Sequence, residues 1–131
     1  MSYIRPALPS DSPGLAKIQV ESYRTAYRGI FPDSYLTHFT YEEQTQDWRN
    51  LFDSNPEDIL LVAESMDGQI IGYLLARAQP EVHPGYDAEI IALHVLKSQQ
   101  RQGTGKALLQ YAVELLQGRG CTSVMLWTLQ A

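Results

Sequence analysis

The spacing of apolar residues changes several times along this chain, and each change marks a new element. Tyr3 to Ala7 is short and bounded by Pro6 and Pro9, which reads as a first strand. Asp11 or Ser12 then offers a helix cap with Pro13 in the first turn, where a missing N–H costs nothing. Leu15, Ile18, Ser22 and Ala26 recur at helical spacing, and Gly29 is a stop signal. Pro32 and Asp33 open a shorter helical segment through Phe39. Thr40-Tyr41-Glu42-Glu43 has the form of a capping box, ahead of a helix over about Tyr41 to Phe52 that buries Trp48, Leu51 and Phe52.

From Pro56 the period shortens. Ile59 to Ala63 is an apolar run of strand length, Asp67-Gly68 is a hairpin turn, and Gln69 to Ala78 is the returning strand. Gln79 to Asp87, with two prolines and a glycine, reads as a loop. Ala88 to Leu96 is another apolar strand. Gly103 to Gln117 returns to helical spacing, with Ala107, Leu108, Tyr111, Ala112, Leu115 and Leu116 facing inward. Gly118 and Gly120 end it, and Cys121 to Leu129 is a last strand. The order β-α-α-β-β-β-α-β predicts an α/β (α+β) fold: a mixed sheet with helices on both faces, in which the closing β-α-β unit makes at least one pair of strands parallel.

Composition narrows the picture. At 131 residues the chain is a single domain, 1–131, and 44% hydrophobic with 19% charged residues is ordinary globular usage. A net charge of −5 without a basic run argues against a nucleic-acid partner. The single cysteine, Cys121, rules out an intrachain disulfide and a cysteine-based zinc site, and it reads as core. His38 and His83 lack ligand spacing, so no metal is expected. Neither a signal peptide nor a membrane-length apolar stretch is seen, which points to a cytoplasmic protein without a membrane partner.

The chemistry is concentrated where the strand Ala88–Leu96 passes through Lys97-Ser98-Gln99 into Gln100-Arg101-Gln102-Gly103-Thr104-Gly105 and a helix. N–H groups at a helix start have no partner inside the helix, and the helix dipole adds partial positive charge, so a pyrophosphate fits there. Gly103 and Gly105 let phosphate oxygens approach the backbone, and Arg101 and Lys106 add charge at the rim. A P-loop would need Gly at Gln100 and a hydroxyl residue at Ala107. A dinucleotide fingerprint would need a small residue at Leu108 and an acidic one near Gly120 to Met125. Neither pattern is met.

Leu93-His94-Val95 followed by Gln100-Arg101-Gln102-Gly103-Thr104-Gly105-Lys106-Ala107-Leu108-Leu109 resembles the acetyl-CoA motif of the GNAT superfamily of N-acetyltransferases. Ile4-Arg5-Pro6-Ala7 and Ser22 to Ile30 resemble one branch of it, so the likeness covers essentially the whole chain. It implies an acyl-CoA N-acyltransferase-like sheet. Backbone groups of Leu93, His94 and Val95 would pair with the pantetheine arm, and N–H groups from Gln100 to Gly105 would hold the pyrophosphate of acetyl-CoA. A backbone N–H near Leu93 would polarise the thioester carbonyl.

Acetyl transfer to an amine acceptor needs a neutral amine. The resemblance makes Glu89 the candidate base: it sits eleven residues before Gln100, where some members of that superfamily carry a catalytic glutamate, and among Ala88, Ile90 and Ile91. Its alternative reading is an exposed edge charge or a partner for an arginine. His94 is either a proton carrier or a packed side chain. Tyr23, Tyr27 and Trp48 lie on helices that would wall the acceptor site, and Arg24 and Arg28 form a solvated face. Similar proteins continue with a helix and two strands beyond the last strand here, so the chain is expected to be C-terminally incomplete or covered by a second copy in a homodimer. That missing segment usually carries the general acid, so none is assigned. The rival to an acetyl-CoA-dependent transferase is a non-catalytic acyl-CoA-binding or regulatory module.

Overall fold

The computed structural model describes residues 2–26, 40–54, 58–83, 86–96 and 103–126. Five strands form one sheet in the order β1-β2-β3-β4-β5: β1 Ser2–Pro6, β2 Ile59–Ser65, β3 Ile70–His83, β4 Tyr86–Val95 and β5 Val124–Leu126. The first three pairings are antiparallel and β4 with β5 is parallel. Three α-helices complete the described fold: α1 Ser12–Ala26, α2 Tyr41–Ser54 and α3 Thr104–Gly118.

Alternation along the strands builds two cores, one on each face. Ile59, Leu61 and Ala63 of β2, with Ala88 and Ile90 of β4, pack with Leu108, Ala112 and Leu116 of α3. Leu15, Ala16 and Ile18 of α1 and Trp48 of α2 pack with Val62 and Tyr73 on the other face. Within the α3 stripe Leu115 stays 38% exposed, and the fully buried residues are the three spaced four apart.

Turn and cap chemistry accounts for most boundaries. Gly68 has a φ of 86°, its N–H donates to the Ser65 carbonyl at 3.0 Å, and Ser65 N–H donates to the Gln69 carbonyl at 2.8 Å. The Ser65 hydroxyl also bonds to the Asp67 carboxylate. Thr40 Oγ1 accepts the N–H of Glu43 at 3.2 Å, so the hydroxyl half of the expected capping box is formed. At α1 the expected cap is replaced: a 3-10 turn, Pro9–Asp11, runs straight into the helix, and the Ser12 hydroxyl donates to the Pro9 carbonyl at 2.7 Å. Asp11 turns instead to Leu8 N–H and to Arg5.

The expected loop from Gln79 to Asp87 is corrected. Strand β3 continues to His83 and β4 starts at Tyr86. Pairing breaks after Ala78↔Ala88 and resumes at His83↔Tyr86, so Pro80 sits in the stretch where no ladder N–H is demanded. Gly29, the segment Pro32–Phe39 and the last strand beyond Leu126 lie outside the described residues.

Candidate functional site

The register of β4 gives the site its shape. Leu93 pairs with Leu74 and Ala92 with Leu75, but Ala76 pairs with Ile90, so Ile91 is an extra residue, a β-bulge. Ala88 and Ile90 before it belong to the core under α3, and Leu93 and Val95 after it pack against that same core. Ala92 packs with the α1 and α2 core. The described pairing of β4 with β5 covers only Ala88↔Val124, Glu89↔Met125 and Ile90↔Leu126.

Helix α3 points its N-terminus at this end of β4. Gly103, its N-cap, has a φ of 81°, a left-handed conformation that strains a residue carrying a Cβ. Ala107 N–H makes its bond to the Gly103 carbonyl at 2.9 Å. The N–H groups of Thr104, Gly105 and Lys106 therefore have no partner within the helix. A Cβ placed on Gly105 would lie 3.8 Å from Val95 Cγ2, so the helix start adjoins the strand end. Thr104 is buried, and Lys106 is exposed. Gln100, Arg101 and Gln102 lie outside the described residues.

The close fit of α3 to the sheet depends on Gly72, which the sequence reading passed over. A Cβ there would come within 3.2 Å of the His94 carbonyl, 3.3 Å of Val95 Cγ2 and 3.4 Å of Leu108 Cδ1. A glycine inside an otherwise apolar strand was the available signal.

Glu89 alternates with Ala88 and Ile90 and so lies on the opposite face from α3, in register with Arg77 of β3. Arg77 makes a two-point contact with Asp58: Nε donates to Oδ1 at 3.0 Å and an η nitrogen to Oδ2 at 2.9 Å. Those bonds raise the Arg77 pKa above its ordinary value, with the Asp58 and Glu89 charges adding to the effect. Glu89 therefore stands within the field of an arginine already matched to another carboxylate. Neither Arg77 nor Asp58 was singled out from sequence, because the pair is formed across strands.

His94 is half-buried on the α1 and α2 face. Its ring lies 5.2 Å from that of Tyr73, which meets Trp48 edge-on at 5.1 Å. Trp48 Nε1 donates to Gln19 Oε1 at 2.9 Å. Burial pushes the His94 imidazole below its ordinary 6.5, which favours the neutral form. Trp48 is thus spent on packing. The side chain of Tyr23 and all of Tyr27 lie outside what is described.

Cys121 is half-buried, and desolvation, followed by the Asp87 charge, raises its thiol pKa, the reverse of an activated thiolate. Among the described residues no three His, Cys, Asp or Glu side chains gather as metal ligands would. Among the same residues no helix is long and apolar enough to cross a membrane.

Residues 20–131 match the family model described as Acetyltransferase (GNAT) family. The chain is similar to an uncharacterised N-acetyltransferase, YuaI, of Bacillus subtilis (strain 168), with 32% identity over 99% of this chain and 73% of the relative. Its fold is similar to that of the PaiA N-acetyltransferase of Thermoplasma acidophilum in complex with coenzyme A. There the TM-score is 0.76, with 21% identity over 98% of this chain and 79% of the other. A GNAT family acetyltransferase of Brucella melitensis in complex with acetyl-CoA gives a TM-score of 0.69, with 20% identity over 98% of this chain and 77% of the other.

Proposed function

The chain belongs to the GNAT family of acetyltransferases, and on that premise we propose direct transfer of acetyl from acetyl-CoA to a primary amine in a ternary complex. The observation that carries this reading is the junction of β4 and α3. Strand β4 runs toward a helix start that adjoins Val95 and whose first N–H groups have no partner within the helix. The pantetheine arm pairs with the backbone of Leu93, His94 and Val95 along that strand. The pyrophosphate sits on the N–H groups from Gln100 to Gly105, with Arg101 and Lys106 at the rim. The complexes of the Thermoplasma and Brucella proteins with CoA and acetyl-CoA support this choice of donor.

In the reaction the amine lone pair attacks the thioester carbonyl, which a backbone N–H near Leu93 polarises. Glu89 takes the proton from the amine, and the CoA thiolate leaves. The acceptor enters from the α1 and α2 face, where Glu89 lies, and is a small-molecule or protein amine. Carboxylates attract a cationic amine but must also see it deprotonated, so Glu89 serves as both attractor and base.

The test is acetyl-CoA turnover over a panel of amines, with Glu89→Gln alongside. The expected loss in kcat is about 100-fold or more, the scale of general-base catalysis. An unchanged rate removes Glu89 from the mechanism. Calorimetric CoA binding by the wild type with no turnover on any amine would leave the chain an acyl-CoA-binding module.

A further inference from the structure

On the face away from α3 the sheet sets a row of charged residues beside Glu89. Arg77 of β3 is in register with Glu89 of β4. On the other side Ala76 is in register with Ile59, so Asp58, one residue ahead of Ile59, comes level with Arg77. The row is a guanidinium between two carboxylates, and its two sides are not alike. Arg77 gives one edge of its fork to Asp58, Nε to Oδ1 at 3.0 Å and an η nitrogen to Oδ2 at 2.9 Å. Glu89 acts on Arg77 through its charge, and less strongly than Asp58 does. The Asp58 side chain is 10% exposed and that of Arg77 31%, so this is not a loosely hydrated surface pair. Met125 of β5, the parallel partner of Glu89, is uncharged. On α1, which packs against β4, Lys17 is exposed and Glu21 half-buried, and His94 stands five residues further along β4.

An arginine with a single carboxylate neighbour closes on it in a two-point pair, and a carboxylate so held keeps its charge and loses basicity. Were Glu89 held like that, the guanidinium would have to be drawn off before a proton could arrive. Asp58 competes for the same fork. We infer that Asp58 is a positioning residue for the reaction: by engaging Arg77 it keeps the guanidinium from closing on Glu89 and leaves that carboxylate able to accept the proton of the acceptor amine. This rests on the reading of Glu89 as the base given above. The bonds to Asp58 also raise the Arg77 pKa, so Arg77 stays a cation throughout and carries no proton in the transfer.

The choice of variants follows from the geometry. Asparagine at position 58 keeps one acceptor oxygen but no charge, so it holds Arg77 less firmly. Alanine releases it. Replacing Asp58 and Arg77 together leaves neither a released guanidinium beside Glu89 nor a shielded carboxylate without its partner. The double variant Asp58→Ala/Arg77→Met therefore separates two causes. A fault due to the released arginine is mended when the arginine goes too, and a general loosening of the sheet is not.

The experiment is acetyl-CoA turnover against pH, on an amine that the wild type accepts. It compares the wild type, Asp58→Ala, Asp58→Asn, the double variant and Glu89→Gln, each checked for folding by circular dichroism. Asp58→Ala is expected to lower kcat roughly tenfold, the scale of one charge-assisted contact that must break before the proton moves, with the KM for acetyl-CoA unchanged. The acid limb of its rate profile moves to lower pH, since a cation drawn closer favours the ionised carboxylate. Asp58→Asn does the same to a smaller extent, and the double variant recovers most of the lost rate and moves the limb back. A wild-type profile in folded Asp58→Ala overturns the inference, as does an equal loss in the double variant, which would mark general loosening. Should Asp58→Ala not fold, Asp58→Asn with and without Arg77→Met decides between the same outcomes. A slow Glu89→Gln beside a normal Asp58→Ala overturns this inference alone. A wild-type rate in Glu89→Gln, or no turnover by the wild type on any amine, overturns the base reading and this inference together.

Discussion

At one flank of the sheet Arg5 of β1 draws two carboxylates together, and at the other Asp87 of β4 draws two backbone N–H groups together. Arg5 donates to both oxygens of Asp11, at 2.8 and 2.9 Å, and to Glu64 of β2 at 2.9 Å. Its flank also has a full antiparallel ladder, from Ser2↔Ser65 to Pro6↔Leu61. Contacts between partly exposed charged side chains contribute little and are screened by salt, so the ladder carries most of the burden there. On the other flank the Asp87 carboxylate holds the N–H groups of Thr122 and Ser123, just ahead of the parallel pair Ala88↔Val124. One flank is thus tied side chain to side chain and the other side chain to main chain, and a bond to the main chain fixes where the strand itself starts.

The largest effect is expected from inserting an alanine between Ala92 and Leu93, which shifts the second half of β4 by one position against β3. Leu93 and Val95 would then leave the core under α3. A loss of about 3 kcal/mol or more, or of cooperative unfolding altogether, should appear in urea titrations. Deleting Ile91 instead removes the bulge and keeps Ala88, Ile90, Leu93 and Val95 on one face, so an insertion no more harmful than that deletion would mean that register does not set the faces.

Arg5→Ala probes the other flank and should cost about 1 kcal/mol, shrinking as salt rises, with CoA affinity unchanged. Thermal melts at low and high salt check the first part, and calorimetry the second. A salt-independent loss would show that packing of the arginine stem, not its ion pairs, is what β1 uses.

The smallest effect is in acid, and it separates the flanks from the middle of the sheet. Burial lowers the His94 pKa from 6.5, so the unfolded chain binds a proton more readily. Stability is therefore unaffected at high pH and falls as pH drops below 6.5 toward the native value. Asp87, held by Ser123 and Thr122 N–H groups, and Asp11, held by Arg5, both lie below 3.8 in the native state. Their contributions are intact above 3.8 and vanish as pH falls through the native values. Denaturant midpoints across this range should fall in two stages, and His94→Phe should remove the first alone.

How much of this was visible in the sequence follows from how local each signal is. Asp67-Gly68, the Thr40 cap and the four-residue spacing of Leu108, Ala112 and Leu116 act within a few residues, and they gave the hairpin turn and, almost to their ends, two helices. Gly103 was picked out as a phosphate contact, and its left-handed φ adds a second reason for glycine there. The prolines and glycine between Gln79 and Asp87 suggested a loop because local composition cannot reveal that β3 continues to His83 and β4 already begins at Tyr86. The bulge was hidden by its own neighbours: Ile90-Ile91-Ala92-Leu93 is apolar throughout, so no alternation is seen to break. Asp87 grips residues 35 and 36 positions away, and Arg77 grips Asp58 from 19 away. Such partners emerge only once the strands are in place.

The extra residue at Ile91 also divides β4 into two reading frames of opposite parity. Even-numbered positions are core before it and odd-numbered ones after it. An alignment that counts through this strand without a gap would equate Leu93, a core residue, with positions that in an unbulged strand lie on the opposite face. A designer who enforced strict alternation would set a polar side chain beneath α3. Positions in β4 should therefore be compared from the nearer side of Ile91, never across it.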